Sequence, residues 1–297
     1  MDKYTQRCTI KNISFWDTFF VVNKNGKKTP SLRLYRWLSI IGFHLLFVLS
    51  YWADIQILEG TLSGSRLLGF HLIDPFVTLQ VFLAYHHIPT NLIIGVVTIV
   101  LVYLLIGGRA YCSWVCPYGL ISEIGEKINR DLVAKKIIKA RVFDHRVKYL
   151  FWILFLTLAF SSGYLVFESI NIVGILSRAI IYGWSVALSF VVAAFLIEVF
   201  YSQRAWCRYV CPVGTTYGFI GWPSAQKIEW DDSCDHCGVC SDVCLVPHVL
   251  EISKKNADTQ GKSHVYIESG DCTLCGRCVD VCHHDALNFK NKLKKIV

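Results

Sequence analysis

The 297-residue sequence predicts a polytopic α-helical membrane protein, four transmembrane helices in two hairpin repeats, followed by a small C-terminal α+β domain organised by cysteines. Three observations predict it. Hydrophobic residues make up 54% of the chain and charged residues 18%, with mean hydropathy +0.43; that apolar excess has to face lipid. Eight of the thirteen cysteines stand at strict spacing in the last quarter, four more form two Cys-x3-Cys-Pro motifs, and Cys8 stands alone. Regular short spacing in a chain of this kind points to metal ligation rather than a disulfide framework, and to thiols kept reduced on the cytoplasmic side. The net charge of +8 reads as basic residues beside the bilayer; no helix-turn-helix or zinc-finger spacing points to nucleic acid.

Apolar runs of near-spanning length lie at residues 37–53, 92–108, 149–167 and 179–201. A shorter apolar stretch, 76–85, follows Asp74-Pro75 and reads either as an interfacial or re-entrant helix or as extra turns on the second span. Lys3, Arg7, Lys11, Lys24, Lys27, Lys28, Arg33 and Arg36 precede the first run; Arg109, Lys127, Arg130, Lys135, Lys136, Lys139, Arg141, Arg146 and Lys148 follow the second. The connections 54–91 and 168–178 carry only Arg66 and Arg178. The positive-inside rule therefore places both termini in the cytoplasm and those two connections outside. The first apolar run lies too far along for a signal peptide and reads as a retained anchor. The expected divisions are a basic cytoplasmic segment 1–36, a four-helix membrane domain 37–222 and a cytoplasmic cysteine-rich domain 223–297.

The segment Arg109-Ala110-Tyr111-Cys112-Ser113-Trp114-Val115-Cys116-Pro117 returns as Arg204-Ala205-Trp206-Cys207-Arg208-Tyr209-Val210-Cys211-Pro212. Each copy follows the second helix of a hairpin, so a pseudo-twofold axis along the membrane normal would bring the four cysteines together on the cytoplasmic face. If the stretch is helical, thiols at i and i+4 share a face, and the proline suits the first turn of a following helix. Cys112, Cys116, Cys207 and Cys211 are candidates for a metal or cluster site, a redox disulfide or a quinone-proximal thiol patch, against the plain reading of small residues packing at a helix end. Arg109 and Arg204 either lower thiol pKa, anchor to lipid phosphate, or are ordinary positive-inside residues.

Cys234-x2-Cys237-x2-Cys240-x3-Cys244 and Cys272-x2-Cys275-x2-Cys278-x3-Cys282 have the bacterial ferredoxin spacing for 4Fe-4S clusters. In such a module the fourth cysteine reaches the other cluster. Cys234, Cys237, Cys240 and Cys282 are then expected to hold one centre, and Cys272, Cys275, Cys278 and Cys244 the other. Zinc fits this asymmetric pattern less well. Gly238 and Gly276 follow the second cysteine of each run, where glycine lets backbone N–H groups approach sulfur. The proline usual after the fourth cysteine is displaced to Pro247 in one run and replaced by His283 in the other; His283 and His284 read as surface residues.

With these motifs in order, the chain resembles the NapH family over nearly its whole length. The resemblance rests on GGRAYCSWVCP from Gly107, RAWCRYVCPVG from Arg204, Gly60-Thr61-Leu62-Ser63-Gly64-Ser65 leading to Asp74-Pro75-Phe76, and the two cluster motifs. It implies a multi-pass subunit of a quinol dehydrogenase in the bacterial inner membrane, taking electrons from membrane quinol to a periplasmic iron–sulfur partner, NapG, and on to periplasmic nitrate reductase. The chain is also similar to MauN of the methylamine pathway, and in part to the copper-oxidase assembly protein CcoG and to NosR, both of which carry further domains. A metal (copper) reductase or assembly factor and a redox-sensing scaffold are the alternatives.

Quinol oxidation releases two protons, so its site needs a proton acceptor in an apolar slot. His44 and Glu198 lie within expected spans and are candidates on that ground; His71, Asp74, His86, His87 and Glu168 are candidates on the outer side. Each also has a plain reading as a satisfied polar residue. Clusters inside and a partner outside leave some 30 Å of hydrocarbon to cross, so an intermediate carrier is needed, either quinone or a centre at the CxxxCP cysteines. A haem is not indicated, since His44 has no second histidine within the spans and there is no CxxCH. The acidic residues Asp231, Asp232, Asp235, Asp242, Asp271, Asp280 and Asp285 either steer a basic partner or solvate the domain.

Overall fold

Residues 32–52 are apolar at helical spacing and hold no proline, and they form the longest helix, α1 (Leu32–Trp52), in a computed structural model of the chain. The structure describes residues 19–22, 28–53, 58–67, 69–139, 141–254 and 263–295; Cys8 and the basic residues Lys3, Arg7, Lys11, Lys24 and Lys27 lie outside them. At 1.5 Å per residue α1 is roughly 31 Å long. Among the described residues it is the one helix long and apolar enough to cross a bilayer; five other apolar helices are shorter.

After α1 come an antiparallel three-stranded sheet, β3 (Leu58–Thr61), β4 (Gly64–Leu67) and β5 (Phe70–Ile73), then α2 (Pro75–Tyr85) and α3 (Thr90–Ile106). A hairpin, β1 (Phe20–Val22) with β2 (Lys28–Pro30), precedes α1. The stretch after Asp74 is thus a helix of its own. Asp74 caps it by accepting from the Phe76 N–H at 2.7 Å, and His86, left-handed at φ 53°, ends it.

The second half repeats this plan: α6 (Val147–Ser162), a single turn α7 (Val166–Ile170), α8 (Ile172–Tyr182) and α9 (Leu188–Phe200). Like α2, α8 has eleven residues and is capped by an Asx side chain, Asn171, accepting from the Val173 N–H. The run at 179–201, expected as one span, is therefore broken. Gly183 at φ 97° ends α8 and non-helical residues precede α9. The connection 168–178, expected on the outer side, is largely helical, and its apolar residues Ile172, Val173, Ile175 and Leu176 are buried.

Two compact units result, cut differently from the stretches 1–36, 37–222 and 223–297. The helical unit is Ile40–Val102 with Val115–Tyr217. There α9 packs on α5 (Tyr118–Ala134), close at Gly125, where an added Cβ would lie 3.1 Å from the Phe195 ring, and α2 packs on α6. Phe76, Phe155, Phe167 and Trp206 make its aromatic centre.

The second unit is Met1–Ser39, Tyr103–Trp114 and Gly218–Val297. Its sheet has β6 (Gln226–Asp231) between β7 (His264–Tyr266) and β8 (Leu287–Asn291), all antiparallel. Residues 103–114 join it because α4 (Ala110–Trp114) lays Ala110 into its core among Ile228, Trp230, Leu250 and Leu287. Spacing along the chain gave no warning of that.

Candidate metal centres

Each cysteine run follows a strand and ends in one short helix, α11 (Val239–Val243) or α12 (Arg277–Val281), with the fourth cysteine as its C-cap. The two loops wind alike. His236 and Leu274 take φ 53° and 48°, Gly238 and Gly276 φ 81° and 73°, which turns backbone N–H groups inward. The His236 N–H donates to Cys234 Sγ at 3.4 Å, Val246 N–H to Cys244 Sγ at 3.4 Å and Ala286 N–H to Cys282 Sγ at 3.3 Å.

Side chains from the two runs interleave. Cys234 and Cys282 are charge neighbours of Cys240, while Cys278 has Cys275, Cys272 and Cys244 around it and Cys240 beyond them. Cys244, Cys272, Cys275 and Cys278 line one cavity with Ile228, Leu250 and Ile267. Burial pushes up the thiols of Cys240, Cys278 and Cys282, and that of Cys272 to about 11. Thiolates here need compensating positive charge. A soft, all-sulfur donor set with N–H groups aimed at sulfur fits 4Fe-4S clusters, which Cys234, Cys237, Cys240 and Cys282, and Cys272, Cys275, Cys278 and Cys244, would hold. Gly276→Ala places a Cβ against the Leu32 side chain at a left-handed position. The expected loss is about 1–2 kcal/mol, read as a lower thermal midpoint for bleaching of cluster absorbance.

In the first CxxxCP copy the helix stops short of the second cysteine: α4 contains Cys112, whereas Cys116 lies beyond its end. Pro117 has no N–H to give the Ser113 carbonyl, so Arg36 Nε donates to it at 3.2 Å; Ser39 Oγ donates to the Trp114 carbonyl at 2.9 Å. Trp114 Nε1 in turn donates to the Leu274 carbonyl, in the second cluster loop, at 3.1 Å. Arg109 is buried and paired with Asp271 at 2.9 Å, and Asp271 also meets His248 Nε2 at 2.9 Å.

The second copy is one turn of π-helix, Trp206–Val210, closed by the Cys211 N–H on the Trp206 carbonyl at 2.9 Å. The i, i+4 sharing of one regular helical face therefore holds in neither copy, although helix α10 (Pro212–Gly221) starts at the proline as expected. Cys116 and Cys211 are charge neighbours of Cys207, and all three belong to the helical unit; Cys112 belongs to the other.

Buried polar groups surround Cys207. Arg204, strained at φ 53°, donates to Glu126 Oε2 at 2.6 Å and lies near Glu123. Glu198, fully buried, accepts from the Trp206 N–H at 3.2 Å and faces Ser122 and Tyr118. Burial, then Glu198, pushes the Cys207 thiol up, and the opposing pull of Arg204 is smaller. Both arginines are buried and ion-paired within the protein, Arg109 with Asp271 and Arg204 with Glu126.

The other candidates are dispersed. His44 is buried, with Nδ1 2.8 Å from the Ile40 carbonyl. Asp74 is a helix cap, pushed up to about 7 by burial, and Glu168 lies near it, held by Asn171 Nδ2 at 3.0 Å. His71 accepts from Arg66 Nε at 3.0 Å, and both line an open cleft with Glu59 and Ser65. His86 packs on Phe160 at 5.8 Å, and His87 is exposed. Sequence reasoning missed Glu123, Glu126, Tyr118 and Gln80. The first two were findable, since Ser122, Glu123, Glu126 and Asn129 recur at helical spacing on one buried face of α5.

A family profile described as a 4Fe-4S binding domain matches residues 88–139 and again 183–230, one match over each CxxxCP copy; a 4Fe-4S dicluster domain matches 233–286. The ferredoxin-type protein NapH of Escherichia coli is 32% identical over 269 residues, 88% of this chain and 91% of that protein. The chain belongs to the NapH family of ferredoxin-type proteins. NapH of Haemophilus influenzae is likewise 32% identical, over 87% of this chain and 89% of its own. The methylamine utilization ferredoxin-type protein MauN of Methylorubrum extorquens is 32% identical over 84% and 88%. No solved structure matches. As a NapH-family member the chain is an iron–sulfur electron-transfer protein, with 4Fe-4S domains at both the duplicated motif and the C-terminal module.

Proposed function

We propose that the chain is the membrane subunit of a quinol dehydrogenase, oxidising membrane quinol and delivering electrons to a periplasmic iron–sulfur partner like NapG and on to periplasmic nitrate reductase. The observation that carries this is the buried network at the second motif, where Glu198 and Tyr118 stand against Cys207 and Cys116. Quinol oxidation needs an electron acceptor and a proton acceptor together in an apolar site, and this is where the chain offers both. Glu198 is the proton acceptor in this reading, its carboxylate held by the Trp206 N–H; His44, Asp74 and His86 are the other candidates, and Asp74 is already committed to capping α2. Clusters bound at the C-terminal cysteines, and a further centre at Cys116, Cys207 and Cys211, would supply one-electron transfer.

The proposal includes four crossings of a bacterial inner membrane with both termini in the cytoplasm. Large apolar side chains stand exposed on the helices involved, among them Leu38 and Leu45 on α1, Leu101 and Leu105 on α3, Leu150 and Phe160 on α6, and Leu196 and Phe200 on α9. Surfaces of that kind need lipid or a partner to cover them.

Anaerobically purified protein mixed with a menaquinol or ubiquinol analogue is expected to show reduced-cluster EPR signals. Glu198→Gln is expected to slow their appearance about 10²–10⁴-fold with little change in the quinol concentration giving half-maximal rate. No reduction by any quinol, with copper enriched in the preparation, would move the reading to a copper reductase or assembly factor. The MauN protein of Methylorubrum extorquens, matched at the same 32% identity, favours a second reading in which the same unit serves methylamine utilization.

A further inference from the structure

Beside the cluster loops stands a group of side chains that takes no part in the sulfur sets. Asp235 follows Cys234, and His283 and His284 follow Cys282; their ligand atoms all lie within 4.8 Å of one another. His283 Nε2 is 3.3 Å and His284 Nε2 3.6 Å from the same oxygen, Asp235 Oδ2. The imidazole rings sit side by side, centroids 4.2 Å apart.

We propose that Asp235, His283 and His284 bind a divalent first-row transition ion, with zinc as the probe. A charged hydrogen bond alone would draw its nitrogen to about 2.8 Å from the oxygen, and both gaps are wider. Metal–ligand bonds of about 2.0–2.1 Å in tetrahedral array put neighbouring donors about 3.3 Å apart, close to the 3.3 and 3.6 Å from the two rings to Asp235 Oδ2. Two imidazoles and one carboxylate oxygen suit zinc, nickel or copper and not magnesium or calcium.

The ligands are pre-positioned from both sides. The Cys237 N–H holds Asp235 Oδ1 at 3.3 Å, leaving Oδ2 to face the rings. Asp285 at φ 55°, its carbonyl accepting from Asn288 Nδ2 at 2.6 Å, sets the turn that carries both histidines. His284 and Asp235 are 46% and 40% exposed, so an ion reaches them from solvent and a fourth position stays open to water.

The test does not depend on the quinol reading. Full-length, cluster-loaded protein in detergent is titrated anaerobically with Zn²⁺ by calorimetry. One tight step is expected, weakened at least tenfold in His284→Gln and in Asp235→Asn. Co²⁺ is expected to broaden one of the two cluster EPR signals in the parent protein and neither in His284→Gln. The EPR signals also report cluster content, so lost clusters are distinguished from lost zinc binding; should Asp235→Asn lose them, the exposed His284 variant carries the test. Equal zinc affinity in parent and His284→Gln, or cluster signals indifferent to Co²⁺, would overturn the proposal.

Discussion

Cys244→Ser is expected to empty the cluster site framed by the second cysteine run, leaving the site framed by its own run loaded. Cys244 ends α11 with its sulfur in the cavity lined by Cys272, Cys275 and Cys278. Cys282 ends α12 with Cys234 and Cys240 as neighbours, so Cys282→Ser should have the reciprocal effect. Serine is a harder and less acidic ligand than cysteine. Loss of even an outer-shell partner weakens a metal site by roughly 10–100-fold, so loss of a direct ligand should exceed that. Iron and acid-labile sulfide in the C-terminal module should fall to about half in each variant, with a different EPR signal surviving in each. The same signal surviving in both would refute the crossed assignment.

Arg204→Met is expected to destabilise the helical unit by about 3–5 kcal/mol, because it removes the buried cation paired with Glu126. Glu126 and Glu123 are 2% and 1% exposed, and Arg204 pairs with the first while lying close to the second. Arg130 also bonds Glu126 but is 40% exposed and screened by solvent, so it does not replace the lost charge. Arg109→Met should cost less, since His248 still meets Asp271. The check is the thermal midpoint in detergent of the two variants against the parent, with Arg204→Lys as the conservative control. Equal midpoints for Arg204→Met and Arg109→Met would show that the carboxylate face of α5 is not held by Arg204.

The ferredoxin runs were legible because their chemistry is local. Cysteine spacing sets which sulfurs share a loop, and Gly238 and Gly276 occupy left-handed positions that a β-carbon resists. The duplicated motif was legible as a repeat, and two family-profile matches fall on its two copies. Its local shape was not, because Pro117 and Pro212 end the preceding turn before the second cysteine, and one copy closes as a π-turn. Hydropathy also merged the end of α8 with the whole of α9, since an apolar window does not register a break at Gly183.

Read alone, the sequence determined the spacing of the cysteines, the family and the twofold internal plan, each of which depends on residue type and interval. Tertiary structure decided which carboxylate meets which arginine, that α4 belongs to the cysteine-rich core, and that Asp235 faces His283 and His284. Those pairings join residues tens to more than a hundred positions apart. Such contacts follow from the packing of elements rather than from any period along the chain.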